Sequence, residues 1–458
     1  MRSSSSLRLG GLLVGLSFAA GLFASPAEAR PVLLISVDGL RPGDVLEADA
    51  RGIALPNLGQ LVAEGAHARG VVGVLPTFTL PSHVTLLTGV SPAKHGVLNN
   101  LTFKPSDAGG APGYGLASVV KVPTLWDAAH ARGIGTASVN WPVSLGASAI
   151  DANVSNYFVQ PGSTQDDDRT NRLLSTPGLV DALERSIGPL SLTPRHDAAG
   201  EEQDLHIAEQ IIKTRRPGLT TVHFSAVDEA EHRFGPGSAE ARAVLATIDG
   251  YIGRLVATAR ATEPDIVVAI ASDHGFTAVR TEINLPRAFV DAGLAKVDGK
   301  GQLASWDAIP WAAGGSAAII LARPDDPALK ARVAALLDTL KADPANGIEE
   351  VYGPEELARR GGFPGASFGI SYRLDTTGPA ARPLSQPLVS PAVQKGTHGH
   401  AASHPELYST FIIAGPGIAR GRDLGVVDIR AIAPTLAHVL GVSLPDAEVR
   451  ALSIQKEH

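Results

Sequence analysis

The chain has no cysteine, so a disulfide framework and lipid attachment through a thiol are both excluded. It also lacks any basic run. With 39 Lys and Arg against 46 Asp and Glu, the net charge is −7 and the electrostatic footprint of a duplex nucleic-acid binder is missing. No arginine falls in a recognisable phosphate-clamping motif, and no internal repeat is present. Small anionic substrates stay open, because bound cations can dominate a local field whatever the net charge.

What is present is enough apolar material for a large core: 44% of the 458 residues are hydrophobic and 19% charged. A prior of roughly 150 residues per domain suggests two or three domains, although one elaborated α/β domain is equally acceptable. The first 29 residues read as a secretory leader. Arg2 and Arg8 flank a serine run, residues 9–24 are apolar, and Ala27-Glu28-Ala29 offers a small-x-small cleavage site. The apolar stretch falls short of the roughly 17–25 residues that a spanning helix needs. Cleavage after Ala29 is therefore expected, with a periplasmic or secreted product of residues 30–458 and no stable membrane anchor. The two arginines are not adjacent, so no twin-arginine signal is formed.

Short aliphatic runs at 32–37, 135–139, 220–227, 265–271, 317–321 and 409–414 read as buried parallel strands. Helical patterns at 55–64, 124–131, 204–214, 238–261 and 327–340 lie between them. This alternation predicts an α/β fold: a mostly parallel central sheet with helices on both faces. Stretches near 102–118, 147–201 and 342–395 look like loop or cap insertions rather than sheet. In open sheets of this kind, ligands collect beyond the carboxyl ends of the strands. Asp38, Asp228 and Asp273 each follow a predicted strand directly or after one residue, so three carboxylates should meet on one edge.

The islands around those aspartates carry metal-ligand chemistry. Asp228 and His232 are four apart and would share one helix face. Asp273-His274-Gly275 follows an apolar strand, and the glycine permits close approach. His398 sits in Gly-Thr-His-Gly, with His400 and His404 as nearby alternatives. His83 and His95 read as structural. Asp and His in this mixture suit zinc, and carboxylate-heavy sites also admit manganese. Thr79 precedes Pro81 at a predicted helix start, so it is either a cap or a hydroxyl presented to an anion at the helix N-terminus. Thr77 competes with it on spacing alone.

The ordered set of Val-Asp-Gly at Asp38, Thr-Leu-Pro-Ser-His at Thr79, Asn99-Asn100, Asp-x-x-x-His at Asp228, Ser-Asp-His-Gly at Asp273 and Gly-Thr-His-Gly at His398 resembles the alkaline phosphatase superfamily. Within it, the resemblance is to the nucleotide pyrophosphatase/phosphodiesterase family and covers roughly Pro31 to Gly441. It implies that Asp38, Thr79, Asp273 and His274 hold one divalent ion, while Asp228, His232 and His398 hold a second. Both ions are expected to be zinc. Thr79 becomes the nucleophile of a double in-line displacement through phosphothreonine, and Asn100 donates to a non-bridging phosphoryl oxygen. A neutral donor there suits a diester or anhydride better than a monoester, so the implied activity is a phosphodiesterase or pyrophosphatase acting on a small anionic phosphoester.

The pattern departs from nucleotide-cleaving relatives at two places that usually carry aromatics. These hold Leu80, which borders the substrate, and His223 with Phe224 beside it. Base stacking would lose part of its contribution there; Trp141, Tyr157 or Phe158 are candidate substitutes. Ser82 replaces an asparagine common before His83. A phosphomonoesterase or phosphonate hydrolase shares the same ligands. A sulfatase would need a Cys or Ser where Thr79 stands and an Arg in place of His83. A non-catalytic metal binder is the alternative from another class, and the complete ligand set argues against it.

Overall fold

The computed structural model describes residues 29–104, 114–155, 165–300, 302–379 and 383–455; the expected leader lies outside these except for Ala29. Eight strands form the central sheet in the order Arg422–Asp423, Ala66–His67, Phe411–Ala414, Val267–Ala271, Val32–Val37, Leu219–Phe224, Thr136–Val139, Ala152–Val154. The four from Val32–Val37 to Ala152–Val154 run parallel, as does Val267–Ala271 on the other side of Val32–Val37. All six residues of Val32–Val37 are buried, which is why the strand reads as a continuous apolar run rather than an alternating one.

Alternate residues of that strand serve two separate cores. Leu33, Ile35 and Val37 pack with Leu205, Ile211, Ile248 and Ile252. Val32 and Leu34 face the opposite way, toward Leu86, Trp126, Trp141 and Leu436. Helices Pro56–Glu64, Ala198–Arg215 and Ala239–Thr262 therefore cover one face, and Thr79–Thr88, Leu125–Ala131 and Ile432–Leu440 cover the other. Each fully buried aliphatic side chain contributes roughly 1.5–3 kcal/mol relative to exposure. Local signals set the helix ends. Thr124 and Asp127 form a reciprocal capping box, and Ser238 accepts from Ala241 N at the start of the longest helix.

Three expectations are corrected. Ser316–Leu321, expected as a central strand, belongs instead to a separate four-stranded antiparallel sheet ordered Ala308–Ala313, Ser316–Leu321, Phe368–Tyr372, Ile348–Tyr352. Its direction is dictated by the two-residue Gly314-Gly315 connection to Ala308–Ala313, with Gly314 at φ 58°; a turn this short joins only antiparallel neighbours. Phe411–Ala414 is central but antiparallel to Val267–Ala271. A run of buried aliphatics carries no information on direction. Residues 147–201, expected to lie outside the sheet, supply its edge strand Ala152–Val154, and 342–395 supply two strands of the second sheet. Helix Pro327–Ala342 closes that second sheet with Leu329, Val333 and Leu337 against Ala317 and Ile319.

Helix Ala198–Arg215 carries two carboxyl groups into the core. Glu201 accepts from the backbone N–H groups of Ser225 and Ala226, and so caps the following helix, Ala226–Phe234. Asp204, one turn on, has no partner for either oxygen among the described residues. Burial pushes the Asp204 carboxyl from its ordinary 3.8 up to about 7 and Glu201 from 4.5 up to about 8. An acid with a raised folded pKa binds its proton more tightly when folded. The unfolded chain ionises Asp204 from about pH 4 upward, so the folded state loses stability relative to it as pH rises from there to about 7. Asp204→Asn should therefore gain more melting temperature over the unsubstituted protein at pH 8 than at pH 5. An equal gain at both pH values would contradict this assignment.

Candidate active site

The carboxyl edge of the central sheet gathers side chains from five distant segments. Val32–Val37 passes directly into Asp38, whose N–H donates to Phe224 O and keeps it in register with the neighbouring strand. Gly39 follows at φ 73°; its N–H donates to Asp273 Oδ1 at 3.2 Å, and a side chain there would press on Phe276. Leu219–Phe224 leads through Ser225 into helix Ala226–Phe234, which presents Asp228 and His232 one turn apart, with Oδ2 and Nε2 3.4 Å from each other. Val267–Ala271 leads through Ser272 to Asp273 and His274. His398 arrives on the loop after Gly396–Thr397, which pairs with Thr277–Ala278.

Two sets of donor atoms converge: Asp38, Asp273 and His274, and Asp228, His274 and His398. His274 Nε2 lies 3.3 Å from Asp38 Oδ1 and 3.1 Å from Asp273 Oδ2. Its ring stacks on that of His398 with centroids 3.6 Å apart, and His398 Nε2 is 3.6 Å from Asp228 Oδ1. His274 thus stands between the two sets, and His232 flanks the second through Asp228. Each of these imidazoles has Nδ1 against a backbone carbonyl: His232 on Gly396 O at 3.0 Å, His274 on Gly275 O at 3.2 Å, His398 on Thr77 O at 3.0 Å. Nδ1–H donates in each case, which leaves Nε2 with its lone pair toward the carboxylates.

The donor set fits divalent metal. Among the described residues, the buried polar atoms Asp38 Oδ1, Asp228 Oδ1, Asp273 Oδ2 and His274 Nε2 have no hydrogen-bond partner, and all four belong to this cluster. Burial first, then the neighbouring carboxylates, push Asp38, Asp228 and Asp273 well above the usual range. Burial and neighbouring imidazoles hold His274 and His398 well below theirs. Ionised carboxylates and neutral imidazoles together need positive charge from another source, and a cation supplies it.

Thr79 is the first residue of helix Thr79–Thr88, and Phe78 occupies the cap position without a side-chain cap. The capping alternative is thereby removed. Thr79 borders a cavity of about 220 Å³ together with Asp38, Asn100, Asp228 and His398. Thr77 is fully buried and its hydroxyl is committed: it donates to His400 O at 2.9 Å and accepts from Gly399 N at 3.0 Å. Asn100 Oδ1 accepts from Leu80 N at 2.9 Å, so its amide nitrogen is the end left to donate. Leu80 and Asn100 both line the cavity.

Of the other histidines, His83 bonds Ser36 and Thr79 O, and His95 bonds Thr85 and Val97 N, both inside the fold. His400 Nε2 lies against Arg373 O and Thr376 O, and His404 pairs with Glu349, so neither reaches the cluster. Trp141, considered as a stacking platform, is 0% exposed and wedged against Trp126 and His83, out of a substrate's reach. Tyr157 and Phe158 lie outside the described residues. Several cavity residues escaped sequence reasoning, His196 and Asn140 among them. His196 comes from the stretch taken for an insertion and bonds Ser225 Oγ through Nδ1 at 2.8 Å; burial lowers its pKa to about 4. Asn140 follows the strand Thr136–Val139 at φ 55°. Neither lies in a motif that announces it.

The sequence model of the type I phosphodiesterase/nucleotide pyrophosphatase family matches residues 32–366. The chain belongs to that family. Among curated relatives, the rat ectonucleotide pyrophosphatase/phosphodiesterase family member 3 (Rattus norvegicus) is 27% identical over 257 residues, 54% of this chain and 25% of that protein. Human member 7 (Homo sapiens) is 25% identical over 267 residues, 56% of this chain and 50% of that protein. The chain therefore matches only a quarter to a half of these relatives' own length. The solved structure of human ectonucleotide pyrophosphatase/phosphodiesterase 5 superposes with a TM-score of 0.63 at 17% identity, covering 93% of this chain and 97% of that one. An inactive form of the murine protein in complex with AMP gives 0.62 at 17% identity, covering 93% of this chain and 97% of that one. These two share the fold with this member of the family, the alkaline-phosphatase-like α/β architecture with its mostly parallel sheet.

Gly275 shows how tightly the edge is built. A Cβ there would lie 2.3 Å from Glu406 O and 2.6 Å from Tyr408 O, both backbone atoms that cannot yield independently. Gly275→Ala should cost roughly 1–3 kcal/mol through overpacking and displace Asp273-His274. The expected result is a lower melting temperature together with weaker zinc binding by calorimetry. Wild-type zinc affinity in a folded variant would show that the close approach does not position the ligands.

Proposed function

We propose that this chain is a two-zinc phosphodiesterase that cleaves phosphodiester or phosphoanhydride bonds through a phosphothreonine on Thr79. The observation that carries the reading is one cavity lined by Thr79 and Asn100 together with Asp38 from one ligand set and Asp228, His232 and His398 from the other, while the competing Thr77 hydroxyl is committed to Gly399 and His400. Asp38, Thr79, Asp273 and His274 are the residues for one ion, and Asp228, His232 and His398 for the other. Asp and His donors suit zinc. When bound, two such ions supply Lewis-acid stabilisation and make a hydroxyl nucleophilic near neutral pH.

The chain's own residues supply the rest. Thr79 at the first turn of its helix places Oγ1 where the amide end of the helix favours an anionic phosphoryl group. Its attack on phosphorus expels the leaving oxygen in line, and water then cleaves the phosphothreonine. The Asn100 amide donates to a non-bridging oxygen and is held in that sense by Leu80 N–H on its carbonyl. One neutral donor stabilises a singly charged diester without demanding the second negative charge of a monoester. The leader-like N-terminus and the extracellular sense of the relatives' names support a protein that works outside the cytoplasm.

The zinc-loaded protein should hydrolyse bis-(4-nitrophenyl) phosphate faster than 4-nitrophenyl phosphate, lose activity on chelation and regain it with zinc. Thr79→Ala should lower kcat by about 10³-fold or more with metal content unchanged. A Thr79→Ala enzyme that still turns over, beside a folded Thr77→Ala enzyme that does not, would move the nucleophile to Thr77. Cleavage of the monoester alone would replace the diesterase with a phosphomonoesterase.

A further inference from the structure

Asn99 precedes the phosphoryl-oxygen donor Asn100 and takes no part in the chemistry proposed above, yet it is 1% exposed and both ends of its amide are engaged. Its Nδ2 donates to Ala312 O at 2.9 Å, and its Oδ1 accepts from Asn100 N at 2.7 Å. A backbone carbonyl can only accept and a backbone N–H can only donate, so these partners permit one orientation of the Asn99 amide. The same holds for Asn100, whose Oδ1 accepts from Leu80 N at 2.9 Å. Main-chain groups therefore fix two successive side-chain amides. Asn100, which lines the cavity with Thr79, is left its NH2 to donate.

Ala312 belongs to Ala308–Ala313, the edge strand of the second, antiparallel sheet. That strand makes a further attachment to the same segment. Trp311 Nε1 donates to Leu101 O at 3.2 Å, and the indole, 6% exposed, packs against Phe103 and Phe363. The residues on both sides of Asn100 are thus tied to one strand. The turn that follows it also holds the loop of His398, because Gly315 N donates to His398 O at 2.8 Å.

We infer that Asn99 is a positioning residue for the proposed reaction, carrying the register of the second sheet to Asn100. This rests on the reading of Asn100 as the donor to a non-bridging phosphoryl oxygen. Leu80 N–H selects which end of the Asn100 amide is presented; Asn99 locates the main chain that presents it. Such a donor acts fully only within roughly 2.7–3.1 Å of the developing charge, and a misplacement of about 1 Å can cost on the order of 10²-fold in rate. The antiparallel sheet thereby has a task at the reaction centre.

A double-mutant cycle on the zinc-loaded protein tests this. Asn99→Ala, Asn100→Ala and the pair are assayed on bis-(4-nitrophenyl) phosphate and titrated calorimetrically with vanadate, a trigonal-bipyramidal mimic of the transferring phosphoryl group. Asn100→Ala should lower kcat by about 10²-fold or more, and Asn99→Ala by about tenfold or more with KM little changed. Both should weaken vanadate binding. In the Asn100→Ala background the Asn99 substitution should cost less than about twofold, because the group it positions is gone. An equal loss from Asn99→Ala in both backgrounds would overturn the inference and make Asn99 a general support of the fold. Wild-type kcat in Asn99→Ala beside an impaired Asn100→Ala would overturn it too. Wild-type kcat and vanadate affinity in Asn100→Ala would fail the donor of the proposed function, and the role of Asn99 with it. If the wild type cleaves no phosphoester, the proposed reaction fails and the vanadate affinities alone close the cycle. Should Asn99→Ala not fold, Trp311→Phe takes its place under the same criteria, since it removes the indole N–H from Leu101 O and keeps a ring in the packing.

Discussion

Two aspartates, Asp38 and Asp273, are buried, and a third, Asp228, is half-buried beside them at the carboxyl ends of adjacent strands. Like charges packed this closely in a medium of low dielectric repel strongly, and each loses its hydration as well. The fold tolerates the arrangement only with compensation, and no arginine or lysine lines the cavity among the described residues. Bound cations would supply that charge while leaving the carboxylates ionised. Under the proposed reading the chemistry follows from that demand, since cations that neutralise these carboxylates would also stand beside Thr79.

The scaffold keeps the crowding in place by holding each ligand from behind. Asp38 is fixed through its backbone to Phe224, Asp273 through Gly39 N–H, and the helix of Asp228 and His232 by Glu201 at its N-terminus. The histidines are set by backbone carbonyls. Their supports cross between elements far apart in sequence: Thr77 holds His398, and Gly396 holds His232. The loop that carries His398 is thus locked to the segment before the nucleophile through the buried Thr77 hydroxyl. Thr77 and Thr79 divide the work, one building the site and one facing the cavity.

Much of this was legible in the sequence because strand ends and ligands coincide. Asp38, Asp228 and Asp273 follow apolar runs, and period and chemistry point to the same edge there. His232 was legible from its four-residue spacing to Asp228 on a helix. Direction and partnership were less so. The run 317–321 has the same composition as a central strand, and only the Gly314-Gly315 turn beside it reveals the hairpin. His223 carries no local signal at all, because its place beside Asp38 depends on a cross-strand register and on the backbone angle of Asn140. The different settings of Thr77 and Thr79 also needed the fold, since Thr77 makes hydrogen bonds to a loop more than 300 residues away.

If cations balance this negative charge, they do so at two adjoining positions. Anomalous diffraction at the zinc edge from crystals of the zinc-loaded protein locates them directly. Two peaks about 3.5–4 Å apart are expected, one among Asp38, Asp273 and His274 and the other among Asp228, His232 and His398. A single peak, or peaks only at surface acidic groups with Asp38, Asp228 and Asp273 free of metal, would contradict it.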